Sequence, residues 1–364
     1  MIKQLLNVIG WSTNRKIVVI ESDDWGSIRM PSKGAYENLK SAGVEVDKGS
    51  GYRYNRFDCL ERAEDIQAIC EVLNEFKDKN GRKPVFTAMT LMGNPDFEKI
   101  RQSGFQRYYW EPFTTTYQRY GYGNTSFEAL QQAQNAGLFH LEFHGREHLN
   151  ITTWLKALRA GDAHTLKGFE YGFWGFRSPH FKPNYQAAYD FWDRSELDTH
   201  RESIREGIEM FHQILGYTPS HFAPPNGSLD LSLESYSASL GIKSLVSARK
   251  QILPVGNDQY KTEWRRPGQK NKDGQRYIMR NCFFEPNHGT QNWEENCLKD
   301  IKTAFFFKKP AIIGNHRTSF MGGIDPHNRD AGLLALKKLL SRMLDTWPDI
   351  EFMTTPELVS LINK

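Results

Sequence analysis

Two adjacent carboxylates, Asp23 and Asp24, stand in the run Glu21-Ser22-Asp23-Asp24-Trp25-Gly26, directly after the apolar stretch Ile17 to Ile20. Adjacent side chains diverge, so one carboxylate can bind a metal ion while the other stays available as a base; an acidic pair in a loop is ordinary unless it has company. Company exists in Phe143-His144-Gly145-Arg146-Glu147-His148-Leu149-Asn150. Imidazoles four residues apart converge on one ion if the segment makes a turn of helix, although a lone HxxxH often arises by chance. His140 lies four residues before His144. On a strand rising about 3.3 Å per residue the two are about 13 Å apart, too far to share an ion, so His140 is read as structural. A third group is His316 in Ile312-Ile313-Gly314-Asn315-His316-Arg317, and a fourth is the rigid turn Phe222-Ala223-Pro224-Pro225-Asn226-Gly227. Taken singly, these two mean only a packed or surface histidine and a loop.

Their shared position gives them meaning, because each follows a short apolar run. Such runs alternate with amphipathic segments along the chain, which predicts parallel strands covered by helices. The predicted strands are 17–20, 84–90, 138–143, 220–223, 243–247, 311–314 and 350–352. The predicted helices are 59–77, 127–135, 185–215, 231–240, 293–307, 331–344 and 356–362. Residues 161–184, rich in Gly and aromatics, read as an inserted loop, and 251–284 as a hairpin excursion. Four strands thus deliver polar or turn-forming residues at their carboxyl ends, where open α/β sheets and barrels assemble their sites.

The composition excludes several classes. A formal charge of +4 against 47 basic and 43 acidic residues, without a basic stripe, argues against nucleic acid as a partner. No window approaches the ~20 apolar residues that span a bilayer, so no transmembrane segment is expected. The opening residues lack a signal-peptide cleavage region, and Cys59, Cys70, Cys282 and Cys297 form no CxxC pair. The expectation is a cytoplasmic protein with free thiols. Aromatics at 13% fit a large core, with sugar-stacking platforms as the functional alternative.

The order of an acidic pair after the first strand, HxxxH after a middle strand, a Pro/Gly turn and a late strand-terminal histidine resembles the polysaccharide deacetylases with the NodB homology fold, carbohydrate esterase family 4. The resemblance covers roughly Ile17 to Thr355. It implies a distorted (β/α) barrel, one catalytic domain over 1–364 with an insertion at 161–200, and metal-dependent removal of N-acetyl groups from an amino sugar or polysaccharide precursor. Ser22-Asp23-Asp24 resembles the family's Phe-Asp-Asp motif, implying Asp23 as base and Asp24 as metal ligand. His144 and His148 match its metal histidines, and His316 its histidine acid. Phe222 to Gly227 resembles its Phe-Arg-x-Pro-Tyr-Gly groove motif, which places Pro225 and Asn226 beside substrate.

Two departures are specific. Trp25 replaces a Gly and is placed with the substrate-orienting residues; Ala223 replaces the Arg that holds the catalytic Asp. Arg177 in the insertion is the expected substitute for that charge, with Arg280 and Arg317 as competitors. No clear Asp-x-x-Asp-Trp motif orients His316, and Asp258, Glu263 and Glu285 are the candidates. An Asp-His-His set leaves positions open for water and substrate, as catalytic sites require, and zinc is the first choice over manganese, cobalt, nickel or iron. The alternatives are a non-catalytic carbohydrate-binding protein that keeps the fold and a glycosidase, for which the adjacent Asp23 and Asp24 offer no opposing pair.

Overall fold

The computed structural model describes residues 9–49, 51–176 and 180–364. The main sheet is built from β1 (Lys16–Trp25), β2 (Phe86–Leu91), β5 (Phe139–Gly145), β6 (His221–Phe222), β7 (Ser244–Val246), β10 (Arg276–Ile278), β11 (Cys282–Phe283), β12 (Ala311–His316) and β13 (Ile350–Phe352). The order is β10-β7-β6-β5-β2-β1-β12-β11, with β13 added to β1. Each pairing is parallel. The sheet curls into a half-barrel, the expected distorted (β/α) architecture. Two small antiparallel pairs stand outside it: β3 (Gly93–Pro95) with β4 (Trp110–Pro112), and the hairpin β8 (Lys250–Gly256) with β9 (Gln259–Trp264).

Parallel strands are buried on both faces, and β1 is an example. Val18 and Ile20 enter the large core with Ile66, Leu73, Leu339 and Met343. Ile17 and Val19 pack on the opposite face with Ile278, Ile312 and the C-terminal helix residues Leu358 and Val359. The same alternation puts Glu21 and Asp23 on one face of β1. Against β2 the register then shifts between Ser22 and Trp25, and Asp24 takes the left-handed backbone, φ +76°. Such a bulge re-aims a side chain, and Asp is among the few residues that enter this region readily.

Several boundaries differ from the sequence expectation. The 161–184 segment is not all loop, because Ala163–Glu170 is a helix capped by Asp162. The apolar run from Tyr185 is not helical until a 3₁₀ turn at Arg194–Glu196, after which the α-helix Leu197–Leu215 begins. Asn150 explains the delay: its N–H donates to the Tyr185 carbonyl at 2.7 Å, and its amide donates to those of Ala187 (3.0 Å) and Asp190 (2.6 Å). Those carbonyls are taken out of any i→i+4 ladder. The 251–284 excursion is a hairpin only through Trp264; its last part supplies β10 and β11 to the main sheet. No helix is long and apolar enough to cross a membrane among the described residues.

Candidate metal centre and active site

Parallel strands bring their carboxyl ends together, and here those ends carry Asp23 and Asp24 (β1), His144 (β5), Ala223 (after β6) and His316 (β12). Asp23 and His316 are direct register partners on neighbouring strands, which explains their proximity. His144 and His148 converge without the helical turn that the spacing suggested. The chain turns at Gly145, φ +118°, where a Cβ would lie 2.9 Å from the Tyr189 hydroxyl, and 146–150 follow as loop.

Asp24, His144 and His148 each offer an atom within 4.8 Å of the others. Asp24 Oδ1 lies 3.3 Å from His144 Nε2 and 3.5 Å from His148 Nε2. Donors about 2.0–2.2 Å from a tetrahedral zinc are roughly 3.3 Å apart, so these separations suit an ion. The His144 tautomer fits as well, and the His148 ring is free to present Nε2. His144 Nδ1 donates to the Ala223 carbonyl at 2.5 Å, which leaves Nε2 as a lone-pair donor, and His148 Nδ1 is buried with no hydrogen-bond partner. Burial pushes His148 down to about 3, so it is neutral, as a ligand must be. The Trp174 ring stacks on His148 at 6.1 Å and anchors its own Nε1–H on the Ile28 carbonyl. The donor set therefore fits a divalent ion.

The charge missing at Ala223 is present on Arg280. Its guanidinium grips both Asp23 oxygens, at 2.5 and 2.6 Å, and donates from Nε to Glu21 at 2.7 Å. Gly314 makes room for this side chain, since a Cβ there would sit 2.6 Å from Arg280 Cδ. Burial raises the Asp23 carboxyl, but Arg280 outweighs it and holds the group below its ordinary value. Arg177 lies outside the described residues. Arg317 is fully buried and spent on Asp58, Glu61 and the Ser27 carbonyl, so it takes no part.

Of the three acids weighed for His316, Glu285 is the partner, with Oε1 2.5 Å from Nδ1. Asp258 pairs instead with Lys182 and Glu263 with Arg265. Glu285 is itself held by Arg53 at 2.6 Å, and Tyr54 meets the His316 ring edge-on at 5.2 Å. Burial lowers the His316 ring pKa, but Glu285, then Asp23 and Asp24, raise it above its ordinary value overall. Its Nε2 points to Asp23 Oδ2, 3.7 Å away.

Two assigned orienting residues are displaced from that role. Trp25 is wholly buried, edge-on to Phe139 at 5.1 Å, and cannot touch substrate. Pro225 is buried in the turn, whereas Asn226 lines a cavity of about 430 Å³ together with Ser228, Gln251, Tyr260 and Arg280. His140 pairs with Glu142 on the sheet, as a structural histidine. The sequence reading passed over Glu21, Arg53, Tyr54 and Trp174. Glu21 had a signal, being two residues before Asp23 on an alternating strand; the others reach the site from separate segments and had none.

In structure the chain is similar to polysaccharide deacetylases and to enzymes of other chemistry. A putative polysaccharide deacetylase from Mycobacterium smegmatis aligns with a TM-score of 0.46 at 11% identity, over 98% of this chain and 93% of that one. PuuE allantoinase aligns at 0.46 and 10%, over 96% and 91%. A 4-alpha-glucanotransferase from Thermococcus litoralis aligns at 0.45 and 10%, over 95% and 40%. No protein-family model and no curated protein matches the chain.

Proposed function

We propose that this chain is a metal-dependent hydrolase that removes N-acetyl groups from an amino sugar or a polysaccharide precursor. The observation that carries the reading is the convergence of Asp24, His144 and His148 beside an Arg-held Asp23 and a Glu-held His316. The three ligands would hold a divalent ion, zinc by first preference, which when bound supplies Lewis acidity toward a water and the amide carbonyl. Asp23, fixed by both guanidinium nitrogens, takes the proton of the attacking water at a carboxylate oxygen. His316, its Nδ1 fixed by Glu285, gives a proton from Nε2 to the departing amine. The amide C–N bond breaks, leaving acetate and a free amino sugar.

Water and substrate enter on the His316 and Arg280 side, because the Asp24, His144 and His148 side chains are sealed at 3–6% exposure while that of His316 is 27% exposed. The sugar is assigned to the cavity lined by Asn226, Ser228, Gln251 and Tyr260. Residues 1–364 act as one catalytic unit, to which the 161–200 insertion lends Trp174. A cytoplasmic setting belongs to the same proposal and is supported by the four unpaired cysteines.

The reading as a non-catalytic sugar binder rested on a missing Arg and a missing acid. Arg280 and Glu285 stand in those places, which favours catalysis. For a glycosidase, Asp23 is clamped by Arg280 and Asp24 is turned onto two histidines, so neither faces the other across a bond. The test is acetate release from a panel of N-acetylated sugars by chelated enzyme, with zinc, manganese, cobalt, nickel or iron restored singly. Metal-restored release is expected; no acetate from any sugar with any ion refutes the assignment.

A further inference from the structure

Next to the cavity assigned to the sugar lies a second one of about 580 Å³, and the two share Ser247, Ala248, Arg280 and Phe283 in their walls. The wall of the second cavity also carries Arg249, Lys299 and Lys309. Their positive charge is poorly answered. Arg249 Nη2 is buried with no hydrogen-bond partner among the described residues. Lys309 is 3% exposed and, among the described residues, its ammonium donates to the carbonyls of Gly10 (2.8 Å) and Trp11 (2.9 Å), which are dipoles rather than counter-ions. Lys299 has Glu295 at 3.8 Å, on an exposed pair. Asp300 is the one carboxylate among the described lining residues, against Arg249, Lys299 and Lys309.

Buried cations without counter-charge are costly, and an anion that accepts several charge-assisted hydrogen bonds returns that cost. Burial holds both Arg249 and Lys309 below their ordinary pKa values, and the Arg249 charge adds to the effect on Lys309. Those shifts are what partial burial and a neighbouring like charge produce; the unpartnered Nη2 of a residue in the cavity wall is what points to a ligand.

We propose that this cavity binds a phosphate group carried by the substrate, so that the acetylated sugar is presented as a phosphorylated conjugate with its sugar beside Arg280 and its phosphate against Arg249 and Lys309. The inference rests on the deacetylase reading for the sugar and on the cavity alone for the phosphate. Phosphate suits the site better than a carboxylate, because its three or four oxygens can meet a guanidinium and ammonium groups from different directions.

The experiment is calorimetric titration of the metal-restored protein with inorganic phosphate, N-acetylglucosamine and N-acetylglucosamine 1-phosphate, for wild type and Arg249→Gln. In the wild type the sugar phosphate should bind at least about tenfold more tightly than either fragment, and in Arg249→Gln that advantage should largely vanish, as loss of a charged hydrogen bond implies. Lys299→Gln, at an exposed position, is the second variant and should weaken the sugar phosphate to a smaller extent. Equal affinity for the three ligands in the wild type overturns the proposal, as does inorganic phosphate binding as tightly as the sugar phosphate, or an advantage that survives in Arg249→Gln. Arg249-dependent binding of the sugar phosphate without acetate release from any sugar would leave the anion site standing and remove the deacetylase reading. Acetate release without phosphate binding would do the reverse.

Discussion

Removing the guanidinium at Arg280 is the most informative perturbation, because two buried carboxylates depend on it. Glu21 is fully buried; burial raises its carboxyl, but the Arg280 charge, His221 and Thr355 bring it down to about 2 from an ordinary 4.5. That difference corresponds to about 3 kcal/mol of stability at neutral pH. Asp23 shares the same cation, so Arg280→Met is expected to cost about 3–5 kcal/mol, the usual price of leaving buried charge unpaired. For 364 residues this lowers Tm by about 4–7 °C. The sign of the pH dependence follows. A depressed carboxyl contributes stability that is present above its unfolded value and is lost as pH falls through its folded value. In the wild type the Glu21 contribution is therefore complete above about pH 4.5 and fades toward about pH 2. In Arg280→Met burial acts unopposed by Arg280, so the variant is penalised most at neutral pH and the gap narrows with acid. Scanning calorimetry at pH 7 and pH 4, with acetate release in parallel, measures both sides. Equal Tm values at pH 7 would show that Arg280 does not carry these charges, and unchanged turnover would show that Asp23 does not need it.

Asp23→Asn should retain the ion and lose about 10²- to 10⁴-fold in turnover, whereas Asp24→Asn should bind metal more weakly and recover part of its activity in excess ion. Elemental analysis beside acetate assays separates the two roles, and the opposite pattern reverses them. Glu285→Gln should lower kcat by about 10²-fold with metal content unchanged, since it loosens His316 and not the ligands; a kcat equal to wild type removes Glu285 from the orienting role. Asn150→Ala strands the buried carbonyls of Ala187 and Asp190 and should cost about 2–4 kcal/mol, read from the urea midpoint; an unmoved midpoint contradicts the account of residues 185–190.

What the sequence made legible was what each strand carries in its own few residues. Ile17 to Ile20 announce a doubly buried strand, and the polar residues after β1, β5 and β12 mark one end of a parallel sheet. Distant partners were harder to read. Arg280 and Glu285 are only two candidates among several in the sequence, because nothing local distinguishes an arginine that crosses to Asp23, or a glutamate that meets His316, from one in solvent. Trp25 was misplaced because its position in a motif says nothing about the bulge that turns it into the core against Phe139. The Tyr185 segment misled for a related reason: its apolar spacing is helical, but Asn150, far back in the chain, claims the carbonyls.

The left-handed backbone at Asp24 narrows what mutation can do at that position. A residue there must tolerate φ +76° and also reach the two imidazoles with a short anionic arm. Asn meets the first demand and forfeits the charge; Glu keeps the charge but is one methylene longer and less at ease in that conformation; β-branched residues fail on the backbone alone. On the proposed metal role, drift away from Asp24 therefore has one narrow route, through Asn, which keeps the backbone and weakens the centre.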